Sequence, residues 1–78
     1  MIKFKTQSGS MYELHRTPAG WHMYKYQGVR TARQVDGRLM LNTDEPVVGQ
    51  PYIMVWGMTA EGVIQTTITS PVTEVTYA

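Results

Sequence analysis

Two histidines, His15 and His22, are the side chains of this 78-residue chain whose type and spacing first suggest chemistry. They flank Thr17-Pro18-Ala19-Gly20, a turn signal. A hairpin that pairs Arg16 with Trp21 makes the two histidines cross-strand neighbours, close enough for both imidazoles to reach one ion. A structural zinc site needs four ligands and a catalytic one three plus water. Glu13 is the nearest third candidate on that face, and no fourth follows from the pattern. The expectation is therefore no metal and no cofactor, with the histidines as a polar cross-strand pair on a solvated face.

Other catalytic groupings are equally incomplete. A nucleophile needs an activating base that a third group orients. The serines, Ser8, Ser10 and Ser70, each stand beside Gly or Pro, where turn chemistry accounts for them. The six carboxylates are scattered, with only Asp44 and Glu45 adjacent, and none forms a spaced acid–base pair. Glycine is never clustered into a phosphate-cradling loop, and cysteine is absent. No catalytic residue is assigned, and the chain is expected not to be an enzyme.

What the middle of the chain does concentrate is aromatic and cationic side chains. Trp21, His22, Tyr24, Lys25, Tyr26, Arg30, Arg33 and Arg38 fall within one stretch, and no acid interrupts Trp21 to Val35. Stacking platforms with cations for phosphate are what single-stranded nucleic-acid binding requires. Trp, Tyr and Arg are also the residues enriched at protein–protein hot spots. A plain β surface with Trp21 in the core is the third reading. With the apolar-strand residues Tyr52 and Trp56, the candidate interaction surface comprises Trp21, His22, Tyr24, Tyr26, Arg30, Arg33, Tyr52 and Trp56.

The elements that must position these residues read as strands. Turn signals recur at short intervals between segments rich in Thr, Val, Ile, Tyr and Trp, and no window suits a helix of ordinary length. Residues 1–78 are expected to form a single all-β domain, a small antiparallel β-barrel or two-layer sandwich of six to seven strands built from consecutive hairpins. Ile2 to Thr6 alternates apolar and polar, and the turn at Ser8-Gly9-Ser10 is expected to be a three-residue loop, which sets Phe4 opposite Leu14 and Thr6 opposite Tyr12, or to carry a local bulge. The next hairpin places Leu14 opposite Met23 and Tyr12 opposite Lys25 as core. Glu13 opposite Tyr24 and His15 opposite His22 then form the polar face. Asp36-Gly37 fits a type I′ turn joining a strand at Val29 to Val35 with one at Arg38 to Leu41. Ser70-Pro71 is expected to separate a strand at Val63 to Thr69 from a last one at Val72 to Tyr77.

From Val47 to Ala60 the chain has no charge, and Tyr52 to Trp56 is apolar on both strand faces. Such a segment is an aggregation hazard on an exposed edge, so it is expected at the centre of the core. Pairing Val55 with Ile64 turns Ile53 and Val55 inward and leaves Tyr52, Met54 and Trp56 to be covered by self-association. A chain this short buries only about 60% of its unfolded surface, which favours association with a partner or with itself.

Seven basic and six acidic residues leave a formal charge of +1, too even to announce nucleic acid or a membrane by bulk charge. Lys3 and Lys5 interrupt the apolar residues near the start, unlike a signal peptide. The longest apolar run, Tyr52 to Met58, is far below the ~20 residues of a spanning helix. A cytoplasmic protein with no membrane partner is the expectation.

Two stretches, Lys5-Thr6-Gln7-Ser8-Gly9-Ser10-Met11-Tyr12-Glu13-Leu14 and Thr69-Ser70-Pro71-Val72-Thr73-Glu74-Val75, resemble the ends of short uncharacterised proteins of actinobacteria and their phages. Those proteins open on Thr-x-Ser-Gly-Ser-x-Tyr-Glu and close on Thr-Ser-Pro-Val followed by an acidic and an apolar residue. The resemblance covers both ends and not the middle. It implies a phage or bacterial cytoplasmic origin and carries over no activity and no functional residue. The function expected is that of a non-enzymatic accessory or interaction protein, a phage product that binds a host protein. The alternatives are a small single-stranded nucleic-acid-binding barrel and a structural subunit of a virion-type assembly.

Overall fold

The computed structural model describes residues 1–26 and 33–78, with residues 33–36 described by their backbone alone. The expected strand from Val29 therefore lies outside the described residues except for its end. Among the described residues there are six strands: β1 (Ile2–Thr6), β2 (Met11–Thr17), β3 (Gly20–Tyr26), β4 (Arg33–Leu39), β5 (Pro51–Met58) and β6 (Ile64–Tyr77). They form one curled antiparallel sheet, a half-barrel, in the order β4-β3-β2-β1-β6-β5. Consecutive hairpins build most of it, and pairing of β1 with β6 joins the first strand to the last.

Alternation in β1 and β2 decides which face is inside. Ile2, Phe4, Tyr12 and Leu14 are buried together with Trp21, Met23, Met40, Tyr52, Met54 and Val72. Phe4 stacks on Tyr12 at 4.9 Å between ring centroids and meets Tyr52 at 5.0 Å. The β1–β2 register differs from the expected one, with Phe4 opposite Tyr12 and Ile2 opposite Leu14. The loop does have three residues, but they are Gln7-Ser8-Gly9. The amide of Gly9 donates to Thr6 O, and Thr6 N donates to Ser10 O. A loop of this kind ends on a residue in the left-handed region, which Gly9 supplies at φ 90°. Moving the loop by one position shifts the pairing by two, so the core face is unchanged. The β2–β3 register is the expected one throughout, including Leu14 opposite Met23 and His15 opposite His22.

Asp36-Gly37 is not a hairpin turn. β4 runs through it, and Gly37 takes φ 69° as part of a bulge. Met23 pairs with Arg38 and Lys25 with Val35, so β4 has one residue more than β3 across this interval. Positive φ was legible from the dipeptide, but a bulge meets the same backbone requirement as a tight turn. Ser70-Pro71 likewise does not end a strand. β6 continues through Pro71, which pairs with Pro51 where β6 passes from β5 to β1. The missing N–H of proline costs no ladder bond at such a changeover.

The two edges of the half-barrel approach one another through the residues after β4. Met40 N donates to Trp21 O of β3, and Leu41 N donates to Val55 O of β5. The Arg38 guanidinium lies 4.3 Å from the centroid of the Trp56 ring, linking β4 to β5. No helix of the described residues is long and apolar enough to cross a membrane.

Candidate interaction surface

The structure does not bring the expected surface residues onto one face. Trp21 is 9% exposed and belongs to the inner face, with the Arg16 guanidinium 5.7 Å from its ring. Tyr52 and Trp56 also point inward from β5: Tyr52 is buried and Trp56 half-buried against the core. His22, Tyr24 and Tyr26 occupy the outer face of β3, where Tyr26 is buried. Arg30 lies outside the described residues, and Arg33 is placed by its backbone pairing with Tyr26 alone.

On that outer face the polar groups are committed to one another. His15 Nε2 donates to Glu13 Oε1 at 3.1 Å, and Tyr26 Oη donates to the same oxygen at 3.5 Å. The His15 ring lies 4.7 Å from that of Tyr24. His22 turns away, its Nδ1 donating to Gly37 O at 2.9 Å. Glu13, expected on a solvated face, is 2% exposed. Among the described residues no group of three or more His, Cys, Asp or Glu is arranged to hold a metal ion. The serines sit at the other end of the sheet, where Ser8 N donates to Ser70 Oγ and Ser70 Oγ donates to Ser8 Oγ. These bonds tie the β1–β2 loop to β6. Gln7 N adds a bond to Pro71 O.

The surface that stands out instead is the outer face of the arm formed by β5 and the first half of β6. Its register is Ile53 opposite Ile68, Val55 opposite Thr66 and, past a bulge, Met58 opposite Ile64. This overturns the expected core: Ile53 is 48% exposed and Val55 half-buried, whereas Tyr52 and Met54 are 3% and 0% exposed. β5 is an edge strand, not a central one. Ile68, Ile64 and Met58 are 64%, 59% and 66% exposed. The larger side chains won the inside because Tyr52, Met54 and Trp56 together remove more apolar surface from water than two β-branched residues do. Trp56 also gains a bond from its Nε1 to Thr67 Oγ1 at 2.8 Å. The outward pairs could have been found from the threonine at 67, which suits an indole N–H on the inner side.

The edge hazard of β5 is handled locally. Asn42 Oδ1 accepts from Val55 N at 2.9 Å, and its Nδ2 donates to Ile53 O at 2.7 Å. The side-chain amide thus imitates a neighbouring strand along the edge. Comparison of the chain with protein-family models, curated proteins and solved structures found no match.

Proposed function

We propose that this chain is a non-enzymatic interaction protein that docks a protein on the outer face of its β5–β6 arm. The observation that carries this reading is the exposed cross-strand pair of Ile53 and Ile68, continued by Met58 and Ile64. A contiguous exposed apolar stripe on so small a domain marks an interface. The nucleic-acid alternative has less support. Base stacking needs exposed rings, and Trp21, Tyr26 and Tyr52 are buried. The resemblance of the end segments fits a phage or bacterial product acting in the host cytoplasm.

The test is affinity capture with tagged wild-type and Ile68→Glu baits from bacterial lysate, with and without nuclease, in cells that also express the untagged chain. Retention of a protein, the untagged chain included, that is lost with Ile68→Glu and indifferent to nuclease is the expected result. Equal recovery on both baits, or retention that nuclease abolishes, overturns the reading.

A further inference from the structure

We propose that the far end of the arm, residues 57–65, is a lever that swings on a bulge in β5 and is latched to the body of the fold by Arg38 on Trp56. The hinge lies in the ladder. Val55 pairs with Thr66 but Gly57 with Gln65, so Trp56 is an extra residue that β6 does not match. A bulge of this kind leaves one residue unpaired and bends the strand that carries it. Beyond it the hairpin is bonded to itself, with Thr59 N donating to Val63 O and Gly62 N donating to Thr59 O. None of its residues belongs to the buried core, and Met58, Val63, Ile64 and Gln65 are all exposed. Few buried apolar contacts are what mark a segment that opens locally, below the free energy of global unfolding.

Trp56 is where the lever meets the body. Its ring is half-buried against the core, its Nε1 donates to Thr67 Oγ1 at 2.8 Å, and the Arg38 guanidinium lies 4.3 Å from its centroid. Indole is the best aromatic partner for a cation. Arg38 is itself held by a second bulge, in β4, where Met23 pairs with Arg38 and Gly37 O accepts from His22 Nδ1. Bulges re-aim side chains. One bulge therefore directs the cation and the other presents the ring, across the seam between the two edges of the half-barrel.

The latch decides whether the outer stripe of the arm is continuous. Ile53 opposite Ile68 lies on the body side of the bulge, and Met58 opposite Ile64 lies on the lever. Latched, the two pairs are in line; released, the stripe is divided at Trp56. The consequence for docking rests on the reading above, whereas the latch is a property of the free chain.

Native-state amide hydrogen exchange of the purified full chain in low urea, read by NMR, tests the lever. The Thr59 amide and the ladder amides of residues 57–65 are expected to exchange through an opening almost independent of urea. The β1 and β2 amides should exchange more slowly and follow global unfolding. Arg38→Met removes the cation from an exposed position and is expected to speed exchange of the hairpin at least roughly threefold. Ile2→Val weakens the core and should speed the β1 and β2 amides while leaving the hairpin unchanged. Hairpin amides that share the urea dependence of β1, a hairpin indifferent to Arg38→Met, or an Ile2→Val that speeds both regions alike would each overturn the lever. Any of these beside capture that still depends on Ile68 refutes the lever and leaves the docking face standing.

Discussion

The Nδ1 of His22 donates to the carbonyl oxygen of Gly37 at 2.9 Å, and this bond secures the bulge that the Asp36-Gly37 dipeptide makes in β4. Gly37 is at φ 69°, and a Cβ placed there would approach Tyr24 Oη to 3.1 Å. Gly37→Ala therefore combines backbone strain with a contact that Tyr24 must relieve. Gly9, at φ 90°, has open space around it, so Gly9→Ala meets strain alone. Urea unfolding is expected to show a loss of ~1–3 kcal/mol for Gly37→Ala and a smaller loss, ~1 kcal/mol, for Gly9→Ala. Equal losses at the two positions would mean that the bulge does not constrain β3.

Neighbours on β5 should respond in opposite ways to truncation. Met54 is fully buried and touches the core, whereas Ile53 is 48% exposed. Met54→Ala is expected to cost ~2–5 kcal/mol, and Ile53→Ala less than ~1 kcal/mol. Chemical denaturation of the two variants side by side measures the difference. The reverse order would restore Ile53 and Val55 to the core.

Strand content, the β2–β3 register and the left-handed glycine at position 37 were legible because each depends on near neighbours in the chain. Pro18-Ala19 closes a two-residue loop whose register follows from its length, and the pairing of His15 with His22 came with it. The inward face of β5 was not legible from its own residues. Tyr52, Met54, Ile53 and Val55 are all apolar, so alternation does not distinguish them, and the decision falls to partners distant in sequence such as Phe4 and Thr67. The same holds for the candidate surface. Composition grouped Trp21 with Tyr24, but opposite parity along one strand sends them to opposite faces. The proline rule divides β6 at Pro71 because it presumes a continuous ladder on both sides, whereas there the partner changes from β5 to β1.

Asn42 should be worth more than its half-exposed position suggests. Besides its two bonds to β5, its Nδ2 lies 2.9 Å from Asp44 Oδ2. Asn42→Ala removes all three and leaves Val55 N and Ile53 O without that partner, at an expected cost of ~1–3 kcal/mol. It also uncovers a ladder edge beside apolar Ile53, so light scattering on mild heating should rise relative to wild type. Unchanged stability together with unchanged scattering would show that water serves this edge as well as the amide does.

Tyr52 links the core to the loop after β4, its Oη donating to the carbonyl oxygen of Asp44. Burial raises the phenol pKa well above its ordinary value of 10.0, and the nearby Asp44 and Glu45 carboxylates raise it further. The unfolded chain gives up this proton near pH 10, while the folded chain retains it. Tyr52 thus contributes stability that is fully present below about pH 10 and is lost as pH rises from there towards the folded pKa, because the unfolded state then binds fewer protons. Tyr52→Phe is expected to lower stability at pH 7 by ~1 kcal/mol through loss of the hydrogen bond. It should also make the melting temperature less sensitive to alkali, so that the gap between variant and wild type narrows above about pH 10. Melting temperatures of both proteins between pH 7 and 11 measure this, and the other tyrosines cancel in the comparison. A gap that stays constant across that range would mean that the Tyr52 phenol ionises as readily in the folded chain as in the unfolded one.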